Sequence, residues 1–328
     1  MDRRLTAGRW ARRGIIWLVS SNLPTVSVVI PARSSAEVLP RALSSVRAQT
    51  YPNIVDVVVA AADPSSAAAA GDGAVVVINE QGSTPVGLNL AVAAGKGDIV
   101  VRCDAHSTFP PRYVERAVAT LQRTGAANVG GMQVPVGETP WQRAIAEAMK
   151  SPFGAGDARY RIGGEEGPVE TVYLGVFRRS ALELVGGFDE TFARNQDYEL
   201  NHRLIEAGQV VWFDPELRVE YTPRGSLSAL ARQYFGYGRA KRQFVRRHPG
   251  SLRWRQLAPP LLTAALASSV LISIWWPVSL LGPLLYVFGL LVVSLGSRSG
   301  ALKMMLALGT MHLSWGLGFL VGNEEGNP

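Results

Sequence analysis

From Gln256 to Ser297 the chain carries no Asp, Glu, Lys or Arg. An uncharged run of 42 residues is hard to place in the core of a water-soluble domain and is long enough for more than one membrane helix. Three spans are expected, over Leu257 to Trp275, Val278 to Leu295 and Ala301 to Val321. A 19-residue helix covers about 28 Å, close to the hydrocarbon core of a bilayer. Trp275-Trp276-Pro277 reads as a turn at an interface. Arg253 and Arg255 precede the first span, Arg298 and Lys303 separate the second from the third, and Glu324 and Glu325 follow. By the positive-inside rule the large N-terminal part is cytoplasmic, in a multi-pass protein of the plasma membrane with its C-terminus outside. The competing reading is a set of buried helices in a soluble domain.

The net charge of +7 concentrates in the first thirteen residues and between Arg232 and Arg255. Basic residues flanking apolar segments point to anionic lipid. Zinc-finger spacing and an aromatic–basic ribonucleoprotein motif are both absent from the sequence, so nucleic acid is not an expected partner. The arm over 1–23 is basic, and its apolar stretch from Gly14 to Val19 is too short to span a bilayer. It reads as a cytoplasmic arm lying on the membrane. The single cysteine, Cys103, has no internal disulfide partner and reads as a small core residue.

Residues 24–225 alternate strands and helices. Val26 to Pro31 is a buried β-branched strand closed by Pro31, and a helix follows from Ala36 to Gln49. Further strands are expected at Ile54–Val59, Ala74–Ile78, Ile99–Val101, Asn128–Val134, Thr171–Phe177 and Val210–Phe213. Helices are expected at Pro85–Ala94, Pro111–Thr124, Trp141–Met149, Ser180–Val185 and from Asp197 to about Ala207. Ala60 to Gly73 and Ser151 to Gly167 read as loops, the second near the site. The alternation predicts an α/β fold with a mainly parallel sheet. A basic amphipathic helix and linker over 226–255 joins it to the membrane part over 256–322.

The Ile99 strand ends in Arg102-Cys103-Asp104-Ala105-His106. Ligands of open α/β sheets bind outside the carboxyl ends of strands. Side chains two apart in extended chain point the same way, so Asp104 and His106 could share a divalent cation. The alternative is a turn with an exposed Asp and a surface His.

Val26 to Pro31, the Asp104-Ala105-His106 strand end, Gly186-Gly187-Phe188-Asp189-Glu190 and Gln196-Asp197-Tyr198-Glu199-Leu200-Asn201-His202-Arg203 resemble glycosyltransferase family 2. Gly87-Leu88-Asn89, the Arg102 to His106 segment and Arg232-Gln233-Tyr234-Phe235 are most similar to its succinoglycan-biosynthesis ExoA-like branch. Each motif alone is weak; their order and spacing are specific. The resemblance covers roughly Pro24 to Lys241 and implies a GT-A fold.

It further implies a nucleotide-sugar donor, UDP- or GDP-linked, and a saccharide or lipid-linked acceptor. Donor contacts would come from Pro31, Ala32, Asp63, Asn89, Arg102, Asp104, Gln233 and Arg239. Mn²⁺ or Mg²⁺ would be held by Asp104 with His106. Asp197 maps onto the catalytic base of an inverting displacement, the alternative role being a helix cap, with Glu199 as a neighbouring support. There are departures from the family pattern. Ser34-Ser35 replaces the usual Asn-Glu, and Ala60 to Ala62 stand where an Asp usually binds the nucleobase. Asp63 is the nearest carboxylate, as a substitute or as a cap beside Pro64. The Gln-x-x-Arg-Trp motif is degraded around Gln233 and Arg239, which could equally belong to a plain amphipathic helix. The expected function is metal-dependent sugar transfer in envelope polysaccharide, exopolysaccharide or glycolipid assembly. The alternative is a catalytically silent membrane scaffold for other assembly enzymes. Three spans are few for a secreting channel, which disfavours processive export. A nucleotidyltransferase would need a Gly-rich basic loop after the first strand, which is absent from the sequence.

Overall fold

A computed structural model describes residues 23–322; almost all of the basic arm, and Glu324 and Glu325, lie outside the described residues. The chain opens with β1 (Val26–Ala32), α1 (Leu39–Arg47), β2 (Ile54–Ala61), α2 (Pro64–Ala70), β3 (Val75–Ile78), α3 (Thr84–Ala94) and β4 (Ile99–Arg102). It continues through α4 (Tyr113–Thr124), β5 (Asn128–Pro135), α5 (Pro140–Lys150), α6 (Pro152–Ala155), α7 (Arg159–Ile162), β6 (Gly167–Pro168), β7 (Tyr173–Arg178), α8 (Arg179–Leu184) and α9 (Gln196–Glu206). Then follow β8 (Val211–Tyr221), α10 (Leu227–Arg247), α11 (Ala258–Ile272), α12 (Leu281–Ser294) and α13 (Ala301–Val321).

The strands form one eight-stranded sheet in the order β3-β2-β1-β4-β7-β5-β8-β6. β1 lies parallel between β2 and β4, and β3 extends this parallel half. β7 runs against both of its neighbours, β4 and β5, while β5 and β8 are parallel. The reversal brings the start of β7, with Tyr173, toward the end of β4. Successive residues of β1 serve opposite faces. Val28 and Ile30 join the core beneath α1 and α4. Val29 joins the core beneath α3, α8 and α9 with Leu88, Leu182 and Leu200. The continuous apolar run of β1 follows from burial on both faces.

Pro31 does not end β1, which pairs with β2 through Ala32. The carbonyl of Ala32 faces β2, accepting from Ala62 N, and that of Val29 faces β4, accepting from Cys103 N. The missing N–H of Pro31 therefore falls on the β4 side, where pairing stops at Val29 and Arg102, and no ladder bond is lost. Other expectations change as well. The loop over 60–73 contains α2, capped by Asp63. The loop over 151–167 contains α6 and α7. The strand at 210–213 runs on to Tyr221 as β8.

The expected first span, over 257–275, folds as α11, a 15-residue helix about 22 Å long. Pro277 pushes Trp276 out of the helical region, at φ −131° and ψ 88°, and ends the run. Among the described residues two helical segments, Pro277–Ser294 and Ala301–Val321, are long and apolar enough to cross a membrane. α13 packs along α10 and α5 in a third core that includes Ile145, Leu230, Tyr234, Leu308 and Met311.

Gly97 opens the turn into β4 against the backbone of Val26 and Ser27, where a Cβ would collide with main-chain atoms. Gly97→Ala should cost about 1–3 kcal/mol, the usual range for overpacking a filled core. A thermal melt in detergent should show a clearly lowered midpoint.

Candidate active site

Arg102 is the last residue of β4, and its side chain is 5% exposed. A buried guanidinium needs carboxylate partners. It donates from Nε to Asp104 Oδ1 at 3.0 Å, its Nη2 lies 2.9 Å from the same oxygen, and Nη1 bonds Asp197 Oδ1. Burial alone would lower the pKa of Arg102, but Asp104 and Asp197 raise it well above the ordinary value, so it stays charged. Two carboxylates, one two residues past the end of β4 and one from the first turn of α9, thus meet at one cation. Burial pushes the Asp197 carboxyl above the usual carboxylate range; Arg102 opposes the rise and Asp104 adds to it. Asp197 is not the helix cap. That position is Asn195, held at φ +60°.

These groups face an open cavity of about 1390 Å³, lined also by His106, Gln133, Tyr173, Gln233 and Lys241. Asp104 and His106 enter it together, as the strand-end reading expects. Among the described residues no donor is bonded to Asp104 Oδ2. One carboxylate oxygen and an exposed imidazole therefore remain available to a cation. Among the described residues the three-membered group of metal-capable side chains lies elsewhere, at His202, Glu206 and His248. Gln233 is buried in the cavity wall, its Nε2 donating to the hydroxyls of Tyr221 at 2.9 Å and Tyr237 at 3.0 Å.

The remaining expected donor contacts are not on this cavity. Pro31 and Ala32 follow Val29, which pairs with Arg102, at the C-terminal end of β1, but do not line the cavity. Asp63 caps α2 and accepts from Ser34 N, the Ser65 hydroxyl, and the N and hydroxyl of Ser66. Those hydrogen bonds, the one from Ser65 foremost, hold its carboxyl far below the usual range. They occupy about four acceptor sites, the capacity of a carboxylate. The capping alternative is the one the fold adopts, because Asp63 staples the loop after β1 to that after β2. Arg239 lies against Gly322 at the end of α13 and does not line the cavity.

Asn89 is a clamp. Its Nδ2 donates to Phe188 O and Glu190 Oε1, both at 2.9 Å, and its Oδ1 accepts from Phe188 N at 2.9 Å. Arg203 reaches the same turn through the carbonyls of Val185 and Gly187, and holds Glu199 through Nε at 2.7 Å and Nη2 at 2.6 Å. Gly186 and Gly187, at φ +76° and +75°, give the turn its shape. The Gly-Gly-Phe-Asp-Glu motif and the α9 motif are therefore one mechanical unit that aims Asp197.

Three residues escaped sequence reasoning. Arg161 donates to the hydroxyl of Tyr234 at 3.0 Å, and Lys241 sits 4.2 Å from the Tyr198 ring centroid. Tyr173 arrives by the reversal of β7. The Gly-rich charged loop signalled the first in outline, but β7's direction has no local signature.

Asn89→Ala should lower stability by about 1–2 kcal/mol, because it removes hydrogen bonds to the part-buried main chain of Phe188. Nucleotide affinity should stay within about twofold. A tenfold affinity loss at unchanged melting temperature would mean that Asn89 touches donor.

The family model described as glycosyl transferase family 2 matches residues 27–186. Succinoglycan biosynthesis protein ExoA of Rhizobium meliloti (strain 1021) is 36% identical over 246 residues, covering 71% of this chain and 72% of that protein. The dolichyl N-acetyl-α-D-glucosaminyl phosphate 3-β-D-2,3-diacetamido-2,3-dideoxy-β-D-glucuronosyltransferase of Methanococcus voltae is 24% identical over 257 residues, covering 76% of this chain and 78% of that protein. Among solved structures, the mannosyltransferase PcManGT from Pyrobaculum calidifontis, in complex with GDP-Man and Mn²⁺, superposes with a TM-score of 0.62. At 20% identity, covering 89% of this chain and 86% of that one, it supports the GT-A fold. The chain is a glycosyltransferase and belongs to glycosyltransferase family 2, in its ExoA-like branch.

Proposed function

We propose that this enzyme transfers a sugar, with inversion, from a UDP- or GDP-linked donor to a saccharide or lipid-linked saccharide at the cytoplasmic face of the membrane. Exopolysaccharide or envelope polysaccharide assembly is the setting suggested by the ExoA relative. The observation that carries the mechanism is the bridging of Asp104 and Asp197 by buried Arg102 at the cavity floor.

In this reading Asp197 accepts the proton of the acceptor hydroxyl as that oxygen attacks the anomeric carbon. A carboxyl raised by burial is a stronger base than an exposed one, and a positioned base contributes roughly 10²–10⁴-fold. Arg102 holds Asp197 ionised and in place. Asp104 and His106 would hold Mn²⁺ or Mg²⁺, an oxygen and nitrogen donor set compatible with either. When bound, the cation supplies Lewis-acid stabilisation of the leaving diphosphate. Gln233 and the tyrosines it joins wall the acceptor side. Pro259, Leu262, Met311 and Trp315, all from the apolar C-terminal segment, complete the cavity. An aqueous active site with an apolar wall suits a sugar carried on a lipid. Arg253, Arg298 and Lys303 favour a cytoplasmic placement of the catalytic domain.

Calorimetry of detergent-purified protein against UDP and GDP should show binding of one nucleotide that requires Mn²⁺ and is lost in Asp104→Ala. Asp197→Asn should keep that binding and lower kcat by roughly 10²–10⁴-fold. Metal-independent binding, or an Asp197→Asn variant with normal kcat, would refute these roles. A wild type that neither transfers nor hydrolyses donor would favour the scaffold alternative.

A further inference from the structure

We propose that the C-terminal segment enters the bilayer as a helical hairpin, α11 and α12, and returns to the side it left. α13 then lies along the membrane surface beneath the catalytic domain, and the C-terminus shares the active-site side. The proposal rests on the membrane reading above and reverses the C-terminal placement expected from three successive spans.

α13 is tied to the catalytic domain along its whole length. Before its first turn, Ser299 Oγ donates to Glu147 Oε1 of α5 at 2.7 Å. In its middle, His312 Nε2 lies 2.7 Å from Phe153 O. At its end, Arg242 of α10 donates from Nη1 to Phe319 O at 3.3 Å and also bonds Leu320 O. Between these ties the backbones nearly touch. Gly238 of α10 faces the main chain of Trp315, and Gly318 of α13 faces that of Phe235. Small residues at such positions allow close, extended helix contact.

α10 in turn cannot stand upright in hydrocarbon. It carries Arg232, Arg239, Lys241, Arg242, Arg246 and Arg247, and charged side chains at membrane depth are costly. It is also pinned at both ends of the domain. Gln233 bonds Tyr221 near the cavity, and Phe244 packs on Phe192, Tyr198 and His202 around α9. A helix bound lengthwise to α10 must share its orientation. Composition alone cannot reveal this, because α13 is apolar enough to cross. One face of α13 meets protein: 33% of the span is buried inside the fold, against 11% for Pro277–Ser294, while Leu302, Leu313 and Leu317 on the rest of the helix stay exposed.

The hairpin behaves differently. Pro259 lies against Gly316 of α13, so α11 starts at the domain. α12 ends there too, with Leu290 and Ser294 buried and Ser297 bonded to Glu147. Between them the chain turns at Trp275 and Trp276, which are 75% and 70% exposed. Ser279 Oγ donates to Ser269 O at 2.7 Å and ties the two arms near that tip. A hairpin whose two ends meet at one domain leaves the chain on the side it came from. Arg253 at one end, and Arg298 and Lys303 at the other, then lie together, as the positive-inside rule asks.

Full-length protein carrying GFP or alkaline phosphatase after its last residue, expressed in a bacterium, tests this. The expected result is fluorescent GFP and inactive phosphatase. In parallel, Leu320→Cys in a Cys103→Ser background should react with an impermeant maleimide in inside-out vesicles and be protected in right-side-out vesicles. Active phosphatase with dark GFP, or labelling of Leu320→Cys from the outside, would overturn the proposal. Carbonate extraction of the same membranes separates the two readings. Protein released to the soluble fraction would refute membrane insertion itself, and the hairpin with it. Retained protein with an external C-terminus would refute only the return of the chain.

Discussion

The interaction on which the rest depends is the buried guanidinium of Arg102 between Asp104 and Asp197. A cation taken out of water at the end of a strand is costly unless paired, and deleting one partner of a buried pair typically costs about 3–5 kcal/mol. The two carboxylates belong to parts of the chain nearly a hundred residues apart, so the ion pairs fix their separation as no local sequence could. Opposing influences meet on Asp197 at that point: burial and Asp104 raise its pKa, and Arg102 lowers it.

The fold is built to deliver this meeting. β4 is buried on both faces and places Arg102 and Asp104 at its carboxyl end. α9 is aimed from the other side by Arg203 and Glu199, and the turn it grips is fixed by Asn89 from α3. β7, running against its neighbours, adds Tyr173 beside the pair. The apolar C-terminal helices then line the cavity, so the paired carboxylates share one chamber with Pro259, Leu262, Met311 and Trp315.

Much of this was legible in the sequence. The β-branched run of β1, the strand ending in Asp-x-His and the Gly186-Gly187 turn before α9 all carry strong local signals, and each lies where expected. What was not legible depends on partners. Asp63 as a nucleobase contact and Asp63 as a cap look alike until Ser34, Ser65 and Ser66 converge on it. Asn89 looks like a donor ligand because it belongs to a family motif, yet its amide is spent on the 188–190 turn. Pro31 reads as a strand end unless one knows that β4 stops pairing beside it. Arg239 reads as a cleft residue until α13 covers it. The length of the first apolar helix was hidden as well, since α11 stops after 15 residues, and composition gives no sign that one face of α13 packs on α5 and α10.

In the proposed mechanism Arg102 electrostatically couples the two carboxylates and keeps Asp197 usable as a base. The most direct test is the acid limb of kcat against pH for wild type and for Arg102→Gln. A base must be ionised, so activity falls as pH drops through its pKa. The raised pKa of Asp197 places the wild-type limb above that of an ordinary carboxylate. Removing the positive charge raises that pKa further, and the limb of Arg102→Gln should move to higher pH. A limb that stays in place, or moves down, would contradict the account.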